Sequence, residues 1–185
     1  ASATYCLASE GSFGPHPHIP FLACNQEILY FIDRKHQFHI HLIHVTENTN
    51  YQMKSIHTPE DLYRFADTVQ FPSHAIIMRP NDKKNGTLLF KGIHTKEGLE
   101  QAFRACIEAS NDGKAWAETD MRAHYNPSRM QAIGLLAEKL ADRLASHCPN
   151  CHTPGWGRVS IEKGLPCEYC NQATGMTAHE IYGCT

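Results

Sequence analysis

Apolar and polar positions alternate from Glu27 to Asp33 and again from Phe38 to Thr46, and Arg34-Lys35-His36-Gln37 between the two runs predicts a β-hairpin. Phe38, Ile40 and Leu42 fall on one face of the second strand, His39 and His41 on the other. Histidines two apart on a strand can chelate a metal, but no acid or third ligand stands beside them in sequence, so that face is read as solvated. The period changes after Thr58-Pro59-Glu60-Asp61, a helix start. Leu62, Phe65, Ala66 and Val69 then recur at helical spacing as far as Phe71-Pro72.

Residues 3 to 8, Ala75 to Met78, Thr87 to Ile93 and Ala115 to Thr119 read as further strands, with a turn-rich segment from Pro80 to Gly86. Thr95 caps a predicted helix that carries Leu99, Phe103, Cys106 and Ile107 on one face, where Cys106 is a small core residue. Met130, Ile133, Ala137, Leu140 and Leu144 lay one apolar stripe on a helix from Pro127 to about Ala145. Strands and helices alternate without strict βαβ order. The expected fold is therefore α/β, a mixed sheet flanked by helices over residues 1–145, followed by a small zinc ribbon at 146–185.

The richest chemistry lies between the strand at Ala115 and the last long helix. Glu118, Asp120, Arg122, His124, Asn126 and Arg129 fall within one short stretch, with Asn126 a good helix N-cap and Pro127 suited to the first helical position. The amides of such a helix start, beside two arginines, make an anion site. Glu10 and Asp120, with Glu118, could hold Mg²⁺. Arg122, Arg129 and the helix start would take phosphates, and His124 or His16 would carry a proton. The structural alternative is a network in which Asp120 pairs with Arg122 or Arg129 to tie strand to helix.

Upstream, Ser9-Glu10-Gly11-Ser12-Phe13-Gly14-Pro15-His16-Pro17-His18 has too many Gly and Pro residues for regular structure. It brings Ser9, Ser12 and His16 together either as the lining of a ligand cleft or as an ordered surface turn. Lys91 could reach a phosphate from a strand end, or simply be solvated.

Cys148-Pro-Asn-Cys151 and Cys167-Glu-Tyr-Cys170 enclose fifteen residues, the spacing of a four-thiolate zinc site. Four thiolates leave no open position, so this zinc is expected to be structural. Cys184, His147, His152 and His179 are spare donors. Trp156 and Tyr182 could form a packing or partner surface, including one between copies of the chain.

With 17 basic against 19 acidic side chains, the chain lacks the charge footprint of a protein that lives on nucleic acid or anionic membrane. No run approaches the roughly 18 apolar residues of a spanning helix, and the start has no signal-peptide pattern. Apart from the two paired sets, Cys6, Cys24, Cys106 and Cys184 stand singly, which points to a reducing, cytoplasmic setting.

The blocks Ser9 to Pro17, Asp120 to Met130, Pro154-Gly155-Trp156-Gly157 and Gly164-Leu165-Pro166-Cys167 resemble a bacterial family of unknown function with a C-terminal zinc ribbon. That resemblance implies a further N-terminal segment ahead of this chain. An acidic loop after a strand, a hairpin behind it and an Arg at the start of a late helix are similar in architecture to inosine triphosphate pyrophosphatase and Maf-like proteins. Two functions are expected from these readings. One is a metal-dependent hydrolase of a nucleotide or other small phosphorylated compound. The other is a non-enzymatic zinc-ribbon module that recognises a protein or nucleic-acid partner.

Overall fold

The computed structural model, which describes every residue except 1, 2, 17, 18, 20, 83–85, 87 and 185, opens on a strand longer than the sequence suggests, β1 (Tyr5–Pro15). The Gly-rich segment is therefore extended chain as far as Pro15. Gly11 serves close approach rather than a turn: a Cβ there would lie 2.5 Å from Nη2 of Arg129 and 2.7 Å from Oε1 of Glu27. Pro17, His18, the turn residues Lys83, Lys84 and Asn85, and the expected strand start Thr87 lie outside the described residues.

β1, β2 (Ala23–Asp33) and β3 (Phe38–Thr46) form a three-stranded sheet in that order. The chain divides into two compact units, and residues of this sheet fall in both.

One unit comprises Gly11–Glu27 and His44–Gly134. It holds β4 (Met53–Ile56), β5 (Ile76–Pro80), β6 (Phe90–Ile93) and β7 (Ala115–Thr119), paired in the order β4-β7-β5-β6. The pairings in this sheet are all antiparallel, and with helices packed on it the fold is α/β as expected. The late strand β7 inserts between β4 and β5, so the crossover through α1 (Pro59–Thr68) joins two strands that run parallel but are not neighbours. β4 escapes the sequence reading because a single one of its residues, Ile56, is buried. Thr58 and Thr95 cap α1 and α2 (Lys96–Ala109), accepting from the amides of Asp61 and Gly98. Leu62, Phe65, Leu99 and Phe103 from these helices close on Ile56, Ile76, Met78 and Ala117 of the sheet.

The other unit comprises Ala1–Glu10, Ile28–Ile43 and Leu135–Thr185. Leu29, Phe38 and Ile40 pack against Leu136 and Leu140, with Phe31, Leu42 and Leu144 alongside. The stripe on α3 (Pro127–Ala145) is thus set by Leu136, Leu140 and Leu144 at four-residue spacing. Met130, expected to be buried, is 50% exposed. In this unit β8 (Gly157–Lys163) and β9 (Thr177–Gly183) form an antiparallel hairpin, flanked by cysteines, and residues 146–185 cluster with the core just described.

A candidate anion-binding cleft and a cysteine cluster

Asp120 leaves the end of β7 with its amide on the carbonyl of Ala75 and its side chain fully buried. Both carboxylate oxygens are taken. Oδ1 accepts from the Arg122 amide (3.1 Å) and from Arg122 Nε (2.9 Å), while Oδ2 accepts from Arg122 Nη2 (2.5 Å) and the Gly92 amide (3.0 Å). Burial alone would raise the Asp120 carboxyl, but hydrogen bonds and charge from Arg122, with the Gly92 amide, hold it below its ordinary value. The same bonds raise Arg122. Gly92 has φ +68°, and a Cβ there would meet the Tyr125 ring at 2.8 Å, so glycine is required where the backbone turns to reach the acid.

The Arg122 guanidinium, 4.6 Å above the Tyr125 ring and 43% exposed, is held on one edge by a wholly buried acid and left open on the other. It borders a cleft of about 400 Å³ with Phe13, Tyr51, Lys91, Glu118 and Asp120. The Phe13 and Tyr51 rings lie 6.0 Å apart at 34°. Glu118 accepts from the Trp116 indole through Oε2 (3.1 Å). A fixed arginine, a lysine and two aromatic walls can recognise an anionic, ring-bearing molecule.

Other expected site residues have different duties. Asn126 is fully buried and caps α3, its Oδ1 accepting from the Arg129 amide (3.0 Å), while its Nδ2 donates to Asn50 (2.8 Å). The Ser128 amide donates to His74 Nε2 (3.3 Å), so the first turn of α3 has spent the amides that were expected to bind an anion. Arg129, expected as a phosphate ligand, gives Nε to Glu27 (2.8 Å) and Nη1 to the Met121 carbonyl (2.6 Å) and lies over the Phe13 ring. His124 is exposed in a single 3₁₀ turn at Ala123–Tyr125, its ring against Tyr125. His16 follows β1, its amide bonded to the Leu22 carbonyl and its ring 3.8 Å from Glu47. Ser9, Glu10 and Ser12 are exposed on β1. Glu10 belongs to the unit that does not contain Asp120.

Glu27, Phe13 and Tyr51 were missed. Glu27 had a signal: it falls two residues before Leu29, on the face of β2 that is buried. An acid in phase with a core face needs a partner, but sequence does not say which.

At the C-terminus, Cys148, Cys151 and Cys184 place their sulfurs within 4.8 Å of one another, the sole group of three or more metal-capable side chains among the described residues. Cys167 and Cys170 stand apart from it. The two C-x-x-C turns are built alike, with His152 (φ 59°) closing the first on the Cys148 carbonyl and Asn171 (φ 58°) closing the second on the Cys167 carbonyl. A single extended strand, β8, separates them, rather than a hairpin that returns the second pair. At about 3.4 Å per residue this puts the two turns roughly 20 Å apart. β9 then brings Cys184 back beside the first turn, where Gly157 pairs with Gly183. Hydrogen bonds with Thr153 first, and with Cys184 and Cys148, lower the Cys151 thiol to about 6, whereas bonding to Cys151 pushes Cys184 up to about 11. Three sulfurs at this spacing, with the Cys151 thiol lowered, suit a soft or borderline cation such as zinc, whose bonds to sulfur are about 2.3 Å.

The chain belongs to the family described as a domain of unknown function (DUF6671), which matches residues 2–185. No curated protein and no solved structure matches it. Among the described residues, no helix is long and apolar enough to cross a membrane.

Proposed function

We propose that the cleft at Arg122 binds a small phosphorylated compound, with a nucleotide as its fullest fit, and that Cys148, Cys151 and Cys184 hold a zinc ion. The observation that carries the first part is Arg122 itself. Its Nε and Nη2 are locked by buried Asp120, and its guanidinium borders the cleft together with Lys91. Phosphate oxygens would bond the open edge of Arg122 and the Lys91 ammonium, and a base would lie against Phe13 and Tyr51.

Metal-assisted hydrolysis is the reaction class we attach to this cleft. Glu118 is its candidate Mg²⁺ ligand, since Oε1 has no hydrogen bond among the described residues. Asp120 serves as the brace of Arg122. Eight cysteines with no disulfide among the described residues fit a reducing compartment such as the cytoplasm.

Thermal-shift and calorimetric titration of the full chain with inorganic phosphate, AMP and ATP, with and without Mg²⁺, tests the binding. ATP at a hundred times its Kd should add about 2.7 kcal/mol of stability. Arg122→Lys and Phe13→Ala should each weaken it, while Glu10→Gln and His124→Ala should not. No stabilisation by any of the three, or stabilisation unchanged in Arg122→Lys, overturns the reading. Phosphate release that needs Mg²⁺ and is lost in Glu118→Gln tests the reaction separately.

A second reading, a partner-binding module, is favoured by the far end of the C-terminal hairpin. There Leu165 is 39% exposed, Met176 63% and Tyr169 fully so. An apolar tip of this kind suits a protein partner better than a polyanion.

A further inference from the structure

Within the unit formed by Ala1–Glu10, Ile28–Ile43 and Leu135–Thr185, a second cavity of about 580 Å³ opens between β3, α3 and β8. It lies in the range of about 300–1,000 Å³ typical of small-molecule sites. Its apolar wall is made by Leu42, Ile43, Leu136, Val159 and Ile161, all branched aliphatics. The neighbouring His41 ring is stacked on Tyr30, at 5.8 Å and 7°. The wall therefore presents an aliphatic surface, unlike the aromatic one at Phe13 and Tyr51.

The polar side of the cavity is cationic. Lys139, Arg143 and Arg158 line it, and no acidic residue does. Arg158 is matched by Glu180 at 2.6 Å. Arg143 has no acidic partner among the described residues: its Nε donates to the Gly155 carbonyl (2.6 Å) and its Nη1 to the Arg158 carbonyl (2.8 Å), and neither partner carries charge. Burial disfavours the charged form of Arg143, which remains cationic nonetheless. Lys139, exposed one helical turn away, likewise forms no ion pair among the described residues. A half-buried guanidinium held by two carbonyls, with a second free cation and a branched aliphatic wall, asks for an anion that carries a hydrocarbon tail.

We infer that this cavity is a binding site for a single-chain aliphatic molecule with an anionic head group, the head between Lys139 and Arg143 and the chain along Ile43, Val159 and Ile161. This site is separate from the Arg122 cleft and does not depend on it. Head and tail both contribute, so neither a short anion nor an uncharged chain should suffice.

Calorimetric titration of the full chain with decanoate, decanol and acetate decides the matter. Decanoate should bind saturably at one site, with decanol and acetate each at least about tenfold weaker. Lys139→Gln and Ile161→Asp, both at exposed positions whose loss leaves the Arg143 bonds in place, should each weaken decanoate by about fivefold or more with an unchanged far-UV spectrum. Three results would overturn the inference: decanol binding as tightly as decanoate, no saturable decanoate binding at millimolar concentration, or affinity unchanged in both variants. Binding to phosphatidylglycerol vesicles with none to free decanoate would overturn it too, because the surface would then read a membrane rather than a single chain.

Discussion

Arg129 and Glu27, 102 positions apart in sequence, are joined at 2.8 Å with side chains only 14% and 1% exposed. The pair is a tie across the fold, and removing one partner strands the other charge in the interior. Arg129→Ala should therefore destabilise the chain by about 3–5 kcal/mol in urea unfolding. The double substitution Glu27→Leu with Arg129→Met should recover most of that loss. A loss below about 1 kcal/mol for Arg129→Ala would show that the contact is a screened surface pair instead.

Gly92 carries a positive φ and faces the Tyr125 ring, and its amide also serves Asp120. Gly92→Ala is expected to lower stability by about 1–3 kcal/mol and to loosen Arg122. Thermal unfolding reads the first effect, and weaker ATP binding the second.

His74 is buried and accepts the Ser128 amide at Nε2, so its neutral form is the one the fold wants, and burial lowers its affinity for protons. A histidine depressed in the folded state contributes stability that is present above its unfolded value of about 6.5 and lost as pH falls toward the folded value. Stability should thus decline below about pH 6.5, and His74→Gln should flatten that decline. Asp120, also depressed, adds a second loss on acidification that begins near its unfolded value of about 3.9. Urea unfolding across pH 3–8 separates the two windows.

The cysteine geometry predicts which substitutions release metal. Cys184→Ser should lose most of the zinc bound by the purified chain, whereas Cys167→Ser should retain it. Elemental analysis after mild chelation distinguishes these outcomes. Cys148→Ser should remove the metal as well and expose hairpin amides to hydrogen exchange before those of β5 and β7. If Cys167→Ser loses zinc while Cys184→Ser keeps it, the two C-x-x-C pairs act at one centre instead.

Local periodicity was sufficient for much of this chain. The strands at Phe38 and Ala115, both Thr-capped helices and the span of α3 follow from apolar spacing and cap chemistry, because burial of one face is written into three or four consecutive turns or pleats. Asp120, Arg122 and Lys91 were identifiable for the same reason: they stand at ends of elements whose bounds were legible. Which of them bears exposed charge was not. Asp120 is saturated by Arg122 and Gly92, 28 residues upstream, and Arg129 is claimed by a glutamate on another strand. Both outcomes depend on non-local pairing that no window of sequence contains. The cysteines make the same point. Spacing said that C-x-x-C turns would form, while the direction of β8 decided that Cys184, rather than Cys167 and Cys170, would meet the first pair, since an extended strand carries its two ends apart and only the returning strand brings them back.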